Sequence, residues 1–253
     1  MRSIALAGAL AIALACLQDA AAAPVDIHPA GPSVPENLLR IELRFDRPQR
    51  LPFDIARVRL LDATGAPVRD AFLDLTLPSA DARRVTLLMN PGRVKTGVAP
   101  NLAWGRALQA GATVRLVVDD PFLGSRSVMK DWEVTAVQSR GPQPEGWGVR
   151  VPRVHTRDAL VVALRAPISS TADRLIAVSD SSGRRVAGRV TLSDGDTVWH
   201  FAPQESWQPG LHAIVTHPDL EDPAGNRACA AFEQVRASEA PCEAGSTLPF
   251  QPG

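Results

Sequence analysis

Leu39-Arg40-Ile41-Glu42-Leu43-Arg44-Phe45 alternates an apolar with a charged residue at every step. A strand turns successive side chains to opposite faces, so the four apolar residues share one face and the three charged ones the other. The pattern predicts a strand with one face on a core and one in water.

The same period recurs outward from it. Val58–Leu61, Phe72–Leu77, Arg84–Met89, Val114–Val118 and Val128–Val137 read as further strands, separated by Gly, Pro and Asp turns such as Asp62-Ala63-Thr64-Gly65. A breaker-rich stretch follows, and the rhythm restarts at Ala159–Leu164, Leu175–Ser179, Val186–Leu192, Thr197–Phe201, Leu211–Thr216 and Ala228–Val235. The grammar of the first half repeats as well: Leu61 to Val68 and Val178 to Val186 are each a strand, a polar turn with Gly, and a strand beginning at Val. The fold expected is all-β, two tandem immunoglobulin-like antiparallel β-sandwiches after an N-terminal signal peptide. Its expected boundaries are a signal peptide at 1–22, a Pro/Ala-rich linker at 23–35, sandwiches at 36–138 and 147–236, a linker at 139–146 and a tail at 237–253. Trp132 is expected in the first core, and Trp199, Phe201 and Trp207 in the second.

The start of the chain points to export. Arg2 precedes an unbroken run of Ile, Leu, Ala and Gly from Ile4 to Ala15, too short to span a bilayer. Ala20 and Ala22 are the small residues a signal peptidase needs, which makes Ala23 the mature start. The alternative is lipidation of Cys16, since Ala13-Leu14-Ala15-Cys16 resembles a lipobox with Ala where Leu is usual. The mature chain is thus expected to be periplasmic or secreted, or else an outer-membrane lipoprotein anchored only through Cys16. No later stretch is long and apolar enough for a membrane-crossing helix. With Cys16 set aside, Cys229 and Cys242 read as one disulfide in an oxidising compartment. Lys and Arg total 27, as do Asp and Glu, so no global field favours nucleic acid.

The later motifs resemble a known family. Leu220-Glu221-Asp222-Pro223-Ala224-Gly225-Asn226 is similar to the D-x-A-G-N turn of bacterial Ig-like domains of the SbsA type. Trp207 to Val215 resembles their L-x-P-G-x-x-Y-x-V strand, with His212 where an aromatic is usual. Leu39 to Pro48 is similar to their first strand, and Ala110 to Val114 to their L-x-x-G-x-x-Y segment. The resemblance implies repeated sandwich modules of the kind found in surface layers, adhesins and exported enzymes, and little about function.

No nucleophile elbow, P-loop, His-Glu-x-x-His or dinucleotide fingerprint is present, so neither a catalytic residue nor a cofactor is assigned. The expected function is a non-enzymatic extracytoplasmic binding or structural module of the bacterial cell envelope, meeting an envelope protein or glycan. The alternatives are a periplasmic metal-binding protein of CopC-like shape and an accessory module of an exported enzyme system. His200 and His212, if on neighbouring strands, are the metal alternative; Asp219, Glu221 and Asp222 are close enough in sequence to suggest calcium, without EF-hand spacing. The partner-binding candidate is the long connection Asn90 to Gly111, where Arg93, Lys95 and Arg106 accompany Trp104. The competing reading has Leu102 and Trp104 tucked under the sandwich edge as a lid.

Overall fold

The computed structural model describes residues 25–95, 97, 99–119, 127–232 and 245–253. The signal segment 1–22, Cys16 and Cys242 lie outside the described residues.

Alternating sequence builds the first sandwich from two sheets. β1 (Val25–His28), β3 (Arg40–Phe45), β5 (Phe72–Pro78) and β6 (Arg84–Met89) pair in the order β1-β3-β6-β5. Facing them, β2 (Ser33–Pro35), β4 (Val58–Leu61), β7 (Thr113–Asp119) and β8 (Ser127–Thr135) pair in the order β2-β8-β7-β4. The pairs are antiparallel apart from β2 with β8. Lettered along the chain, this is A-B-E-D facing A′-G-F-C. The second half has β9 (Gly148–Arg150), β10 (Leu160–Ala163), β12 (Gly188–Ser193) and β13 (Val198–Pro203) in the order β12-β13-β10-β9. Against it stand β11 (Ile176–Ser179), β14 (His212–Thr216) and β15 (Thr247–Phe250), in that order. That is A-B-E-D facing C-F-G, the seven-strand immunoglobulin arrangement. The protein is all-β, two tandem immunoglobulin-like sandwiches.

The cores fall where the period places them. Ile41, Leu43 and Phe45 meet Val85, Leu87 and Met89 in the first core, with Trp132 buried and its indole N–H donating to Pro29 O at 3.0 Å. In the second, Trp199 stacks on Phe201 at 5.7 Å and Phe201 meets Trp207 at 6.0 Å. Burying each of these rings contributes about 2 kcal/mol from area alone.

The segments expected as a linker and a tail supply strands. The 23–35 linker supplies β1 and β2, because Val25 and Ile27 alternate with Asp26 and His28 and turn into the first core. Neighbouring prolines and alanines hide that four-residue alternation in the sequence. The 237–253 tail supplies β15, which completes the second sandwich by pairing with β14 and burying Phe250. The final strand expected at Ala228–Val235 is not found: residues 228–232 form turns beside an isolated Arg227–Ala230 bridge, and 233–235 lie outside the described residues.

The repeated turn grammar is reproduced bond for bond. Asp62 accepts from the N–H groups of Thr64 and Ala66 and from the Thr64 hydroxyl; Asp180 accepts from those of Ser182 and Arg184 and from the Ser182 hydroxyl. Gly65 and Gly183 close the turns with φ of 84° and 80°, a backbone region that glycine enters freely. A third copy runs from Asp222 to Gly225, where Asn226 N donates to Asp222 Oδ1 at 2.9 Å and Gly225 has φ 79°. Ala224 stands where the first two copies carry a hydroxyl.

Candidate functional site: the seam between the two sandwiches

The face of β3 opposite the core is largely covered, with Glu42 buried and Arg40 and Arg44 half-buried. Arg40, Glu42 and Arg44 project every second residue towards the second sandwich, and Glu42 is only 2% exposed. This corrects the sequence expectation of a solvated charged face. Arg40 donates to Glu221 at 2.5 Å, Glu42 Oε1 accepts from Ser169 Oγ at 3.0 Å and from Thr171 N at 3.1 Å, and Arg44 donates to Ser170 O at 2.7 Å. Three charges on one strand are thus answered one by one by a carboxylate, a hydroxyl with an N–H, and a carbonyl.

A second contact lies at the end of β1. Asp196, buried and left-handed at φ 67°, binds His28 Nδ1 at 3.0 Å and the N–H of Ala30 at 2.8 Å. Non-glycine residues hold that conformation only where surrounding contacts fix it. Next to it the backbones of Gly31 and Gly195 touch: a Cβ on Gly195 would meet Gly31 Cα at 2.8 Å. A third contact is the Asp222 turn. Leu39 N donates to Pro223 O at 3.0 Å, Gln138 Nε2 to Asp222 Oδ2 at 2.8 Å, and Asn226 Nδ2 to Gln138 O at 2.8 Å. A Cβ on Gly225 would strike Leu39 Cδ2 at 2.6 Å, whereas nothing lies within 4 Å of Gly65 or Gly183. One turn design therefore serves twice as a surface corner and once as a clasp.

Burial sets the electrostatics of the seam. Burial pushes the Glu42 carboxyl above the usual carboxylate range, against the Ser169 hydroxyl and the charges of Arg44, His28 and Arg84. Asp222 is pushed up to about 6 by burial, opposed by hydrogen bonds from Asn226 and Ala224 and reinforced by the neighbouring Glu221. The exposed copies go the other way: the Ser182 hydroxyl leads the effects that lower Asp180 to about 2, and the Thr64 hydroxyl likewise lowers Asp62. Arg40 Nε, Glu42 Oε2, Arg44 Nε, Ser170 Oγ and Asp173 Oδ1 are buried without a hydrogen-bond partner among the described residues. The small pocket beside His28, Glu42 and Asp196 is about 10 Å³, no larger than one water. The contacts of the seam join one sandwich to the other.

The partner-binding residues expected from sequence lie elsewhere. Asn90 caps α1 (Pro91–Val94), which is followed by α2 (Ala99–Trp104). Arg93, 5% exposed, donates to the carbonyls of Gly105 at 2.8 Å, Arg106 at 3.4 Å and Arg69. Arg106 donates to Val94 O at 2.5 Å and pairs with Glu36 at 3.4 Å. Both cations are therefore used to hold the connection together and are not displayed as a charged surface. Lys95 lies 4.3 Å from the centre of the Phe232 ring. Trp104 and Leu102 are 49% and 77% exposed, so they form no lid over the core. Trp104 has the guanidinium groups of Arg69 and Arg93 at 5.9 and 6.0 Å from its ring centre.

The histidine alternative is not assembled. β13 with His200 and β14 with His212 belong to opposite sheets; His200 binds Ser193 Oγ at 2.9 Å, and His212 is buried against Trp207 and Phe250. Nor do the three acidic residues converge. Asp219 pairs with Arg227, Glu221 with Arg40, and Asp222 with Gln138 and Asn226. Among the described residues no group of three or more His, Cys, Asp or Glu is placed to hold a metal ion. No helix among them is long and apolar enough to cross a membrane.

The sequence matches no protein-family model and no curated protein. Among solved structures it is similar to the N-terminal Ig1-2 module of the Drosophila receptor protein tyrosine phosphatase DLAR, at 12% identity and a TM-score of 0.26 over 77% of this chain and 91% of that one. A chimeric titin Z1Z2 is also similar, at 12% identity and a TM-score of 0.25 over 74% and 84% of the two chains. Superpositions this loose add nothing to the strand order, on which the fold rests.

Proposed function

We propose that this chain is a non-enzymatic binding or structural module of the bacterial cell envelope, in which two immunoglobulin-like sandwiches are clasped into one unit. The observation that carries the reading is the β3 face. Three charged side chains that water would solvate well are instead committed to partners on the second sandwich. Burying charges in this way is costly unless each is answered, and it fixes one relative placement of the domains. A fixed pair presents a surface made from both, which a flexible pair does not.

Export belongs to the same proposal and rests on the N-terminal segment, with a mature start at Ala23 or, alternatively, lipidation at Cys16. The disulfide between Cys229 and Cys242 goes with it. Cys229 has an interaction partner, and a bridge to Cys242 would close a loop of the residues 230–241 between them. Fractionation with mass spectrometry of the intact and non-reduced chain tests this part. A periplasmic or secreted chain starting at Ala23, or a membrane-bound one with diacylated Cys16, is expected, two mass units lighter than the dithiol form. A cytosolic, reduced chain retaining residues 1–22 refutes it. Small-angle scattering tests the clasp: the wild type should keep one compact two-domain profile, and Glu42→Lys should lengthen it.

A further inference from the structure

Beside the seam, the sandwiches leave an open cleft of about 550 Å³ lined by Arg44, Arg83, Arg84 and Arg174, with Asp81 and Asp173 as its acidic groups. Four guanidinium groups against two carboxylates is a local excess in a chain whose net charge is zero. The arginines come from both domains: Arg44 from β3, Arg84 from β6, Arg83 from the turn before β6, and Arg174 from the 3-10 turn that leads into β11. Arg44 and Arg84 stand directly opposite each other across the β3–β6 pair. Like charges in that relation cost stability unless something answers them. Asp26 flanks Arg44 from β1 but makes no ion pair among the described residues.

The acidic groups of the cleft are already engaged. Asp81 accepts from the Ser79 hydroxyl at 2.6 Å and from Arg83 N at 3.1 Å, and Asp173 lies 3.6 Å from Arg44. Arg83 donates to the carbonyl of Asp46. Arg84 and Arg174 make no side-chain hydrogen bond or ion pair among the described residues. Arg44 is held in place by Ser170 O and keeps a buried Nε without a hydrogen-bond partner.

We propose that this cleft binds the carboxylate or phosphate of a small anionic ligand, of one or two sugar rings in size, bridging Arg44 and Arg84 of the first sandwich and Arg174 of the second. A planar guanidinium fork is the side chain best matched to such oxyanions, and several converging forks confer both orientation and affinity. The volume falls within the range of small-ligand clefts, and junctions between domains are a common place for them. The inference gives the binding reading above a ligand class, and it is independent of export.

The test is calorimetric titration at constant ionic strength with D-galacturonate, inorganic phosphate and, as neutral control, D-galactose. Saturable binding of at least one anion and none of galactose is expected. Preference for galacturonate assigns an acidic sugar, and preference for phosphate a phosphorylated ligand. Arg84→Ala with Arg174→Ala should weaken the preferred anion by about tenfold or more, the scale of one or two lost charge-assisted contacts. Arg59→Ala, on the opposite sheet, should leave it unchanged. Neither substituted cleft residue belongs to the hydrogen-bond network, so circular dichroism should match the wild type. Absence of saturation by either anion in the millimolar range, or equal binding by the double variant, overturns the site. Such a failure leaves the clasped two-domain module to stand or fall on scattering and fractionation.

Discussion

Replacing Asp222 by Asn should remove a pH dependence of stability that runs opposite to that of most carboxylates. The Asp222 carboxyl moves from 3.8 to about 6 on burial in the clasp. It therefore holds its proton more tightly in the folded chain than in the unfolded one. Its contribution is fully present below about pH 4 and is lost as pH rises through about 6. A shift of about two units, at about 1.4 kcal/mol each, corresponds to about 3 kcal/mol across that window. The Glu42 carboxyl, also raised by burial, acts in the same direction. Asp180, lowered to about 2, acts in the opposite direction and at lower pH, where its contribution disappears as pH falls. Asn at 222 does not titrate, although it presents an amide where the Gln138 and Asn226 side chains donate. The quantity to compare is therefore the slope of stability against pH, not its level. Urea unfolding followed by tryptophan fluorescence from pH 4 to 7.5 should show the wild type losing about 3 kcal/mol more than Asp222→Asn. Parallel profiles for the two proteins would refute the claim that this turn is buried as a clasp.

Paired glycine substitutions separate the clasp from its surface copies. Gly183→Ala meets only the left-handed backbone penalty of about 1–2 kcal/mol, while Gly225→Ala also drives a methyl into Leu39 and should cost about 2 kcal/mol more in chemical denaturation. In the 90–111 connection, Arg93→Ala should lower stability by about 2–3 kcal/mol, because buried carbonyls lose their donor. Trp104→Ala should change it by no more than about 0.5 kcal/mol, so thermal unfolding of the two variants distinguishes scaffold from surface. Trp199→Ala, at the centre of the second core, should cost about 3–5 kcal/mol in the same assay, with equal stability marking the core as wrongly located.

Much of the architecture was legible because a period of two is a direct consequence of strand geometry. The segments 58–61 and 84–89 are strands at the bounds the alternation predicts, and the aromatic core of the second sandwich follows from Trp199 and Phe201 sharing a face. What alternation does not say is what covers the second face. Arg40, Glu42 and Arg44 look the same in sequence whether water or another domain lies beyond them. Sequence alone points to Arg93 and Arg106 as surface cations because such residues are mostly exposed, but the carbonyls left by two short helices need donors. His200 and His212 are close in sequence, yet the chain crosses between sheets from β13 to β14, as strands E and F do in this topology. The hydroxyl missing at Ala224 was the available hint that the third turn differs in environment.

The β3 stripe has a consequence for how such modules can be exchanged. Its three charges are spaced about 7 Å apart, and each needs a different chemical answer at its own station. A sandwich taken from another protein and joined after residue 146 would have to bring a carboxylate, a hydroxyl beside an N–H, and a carbonyl in that order and register. Few would. The two sandwiches are duplicated in architecture but keyed to one another like lock and bit, so recombination that conserves function should move them together.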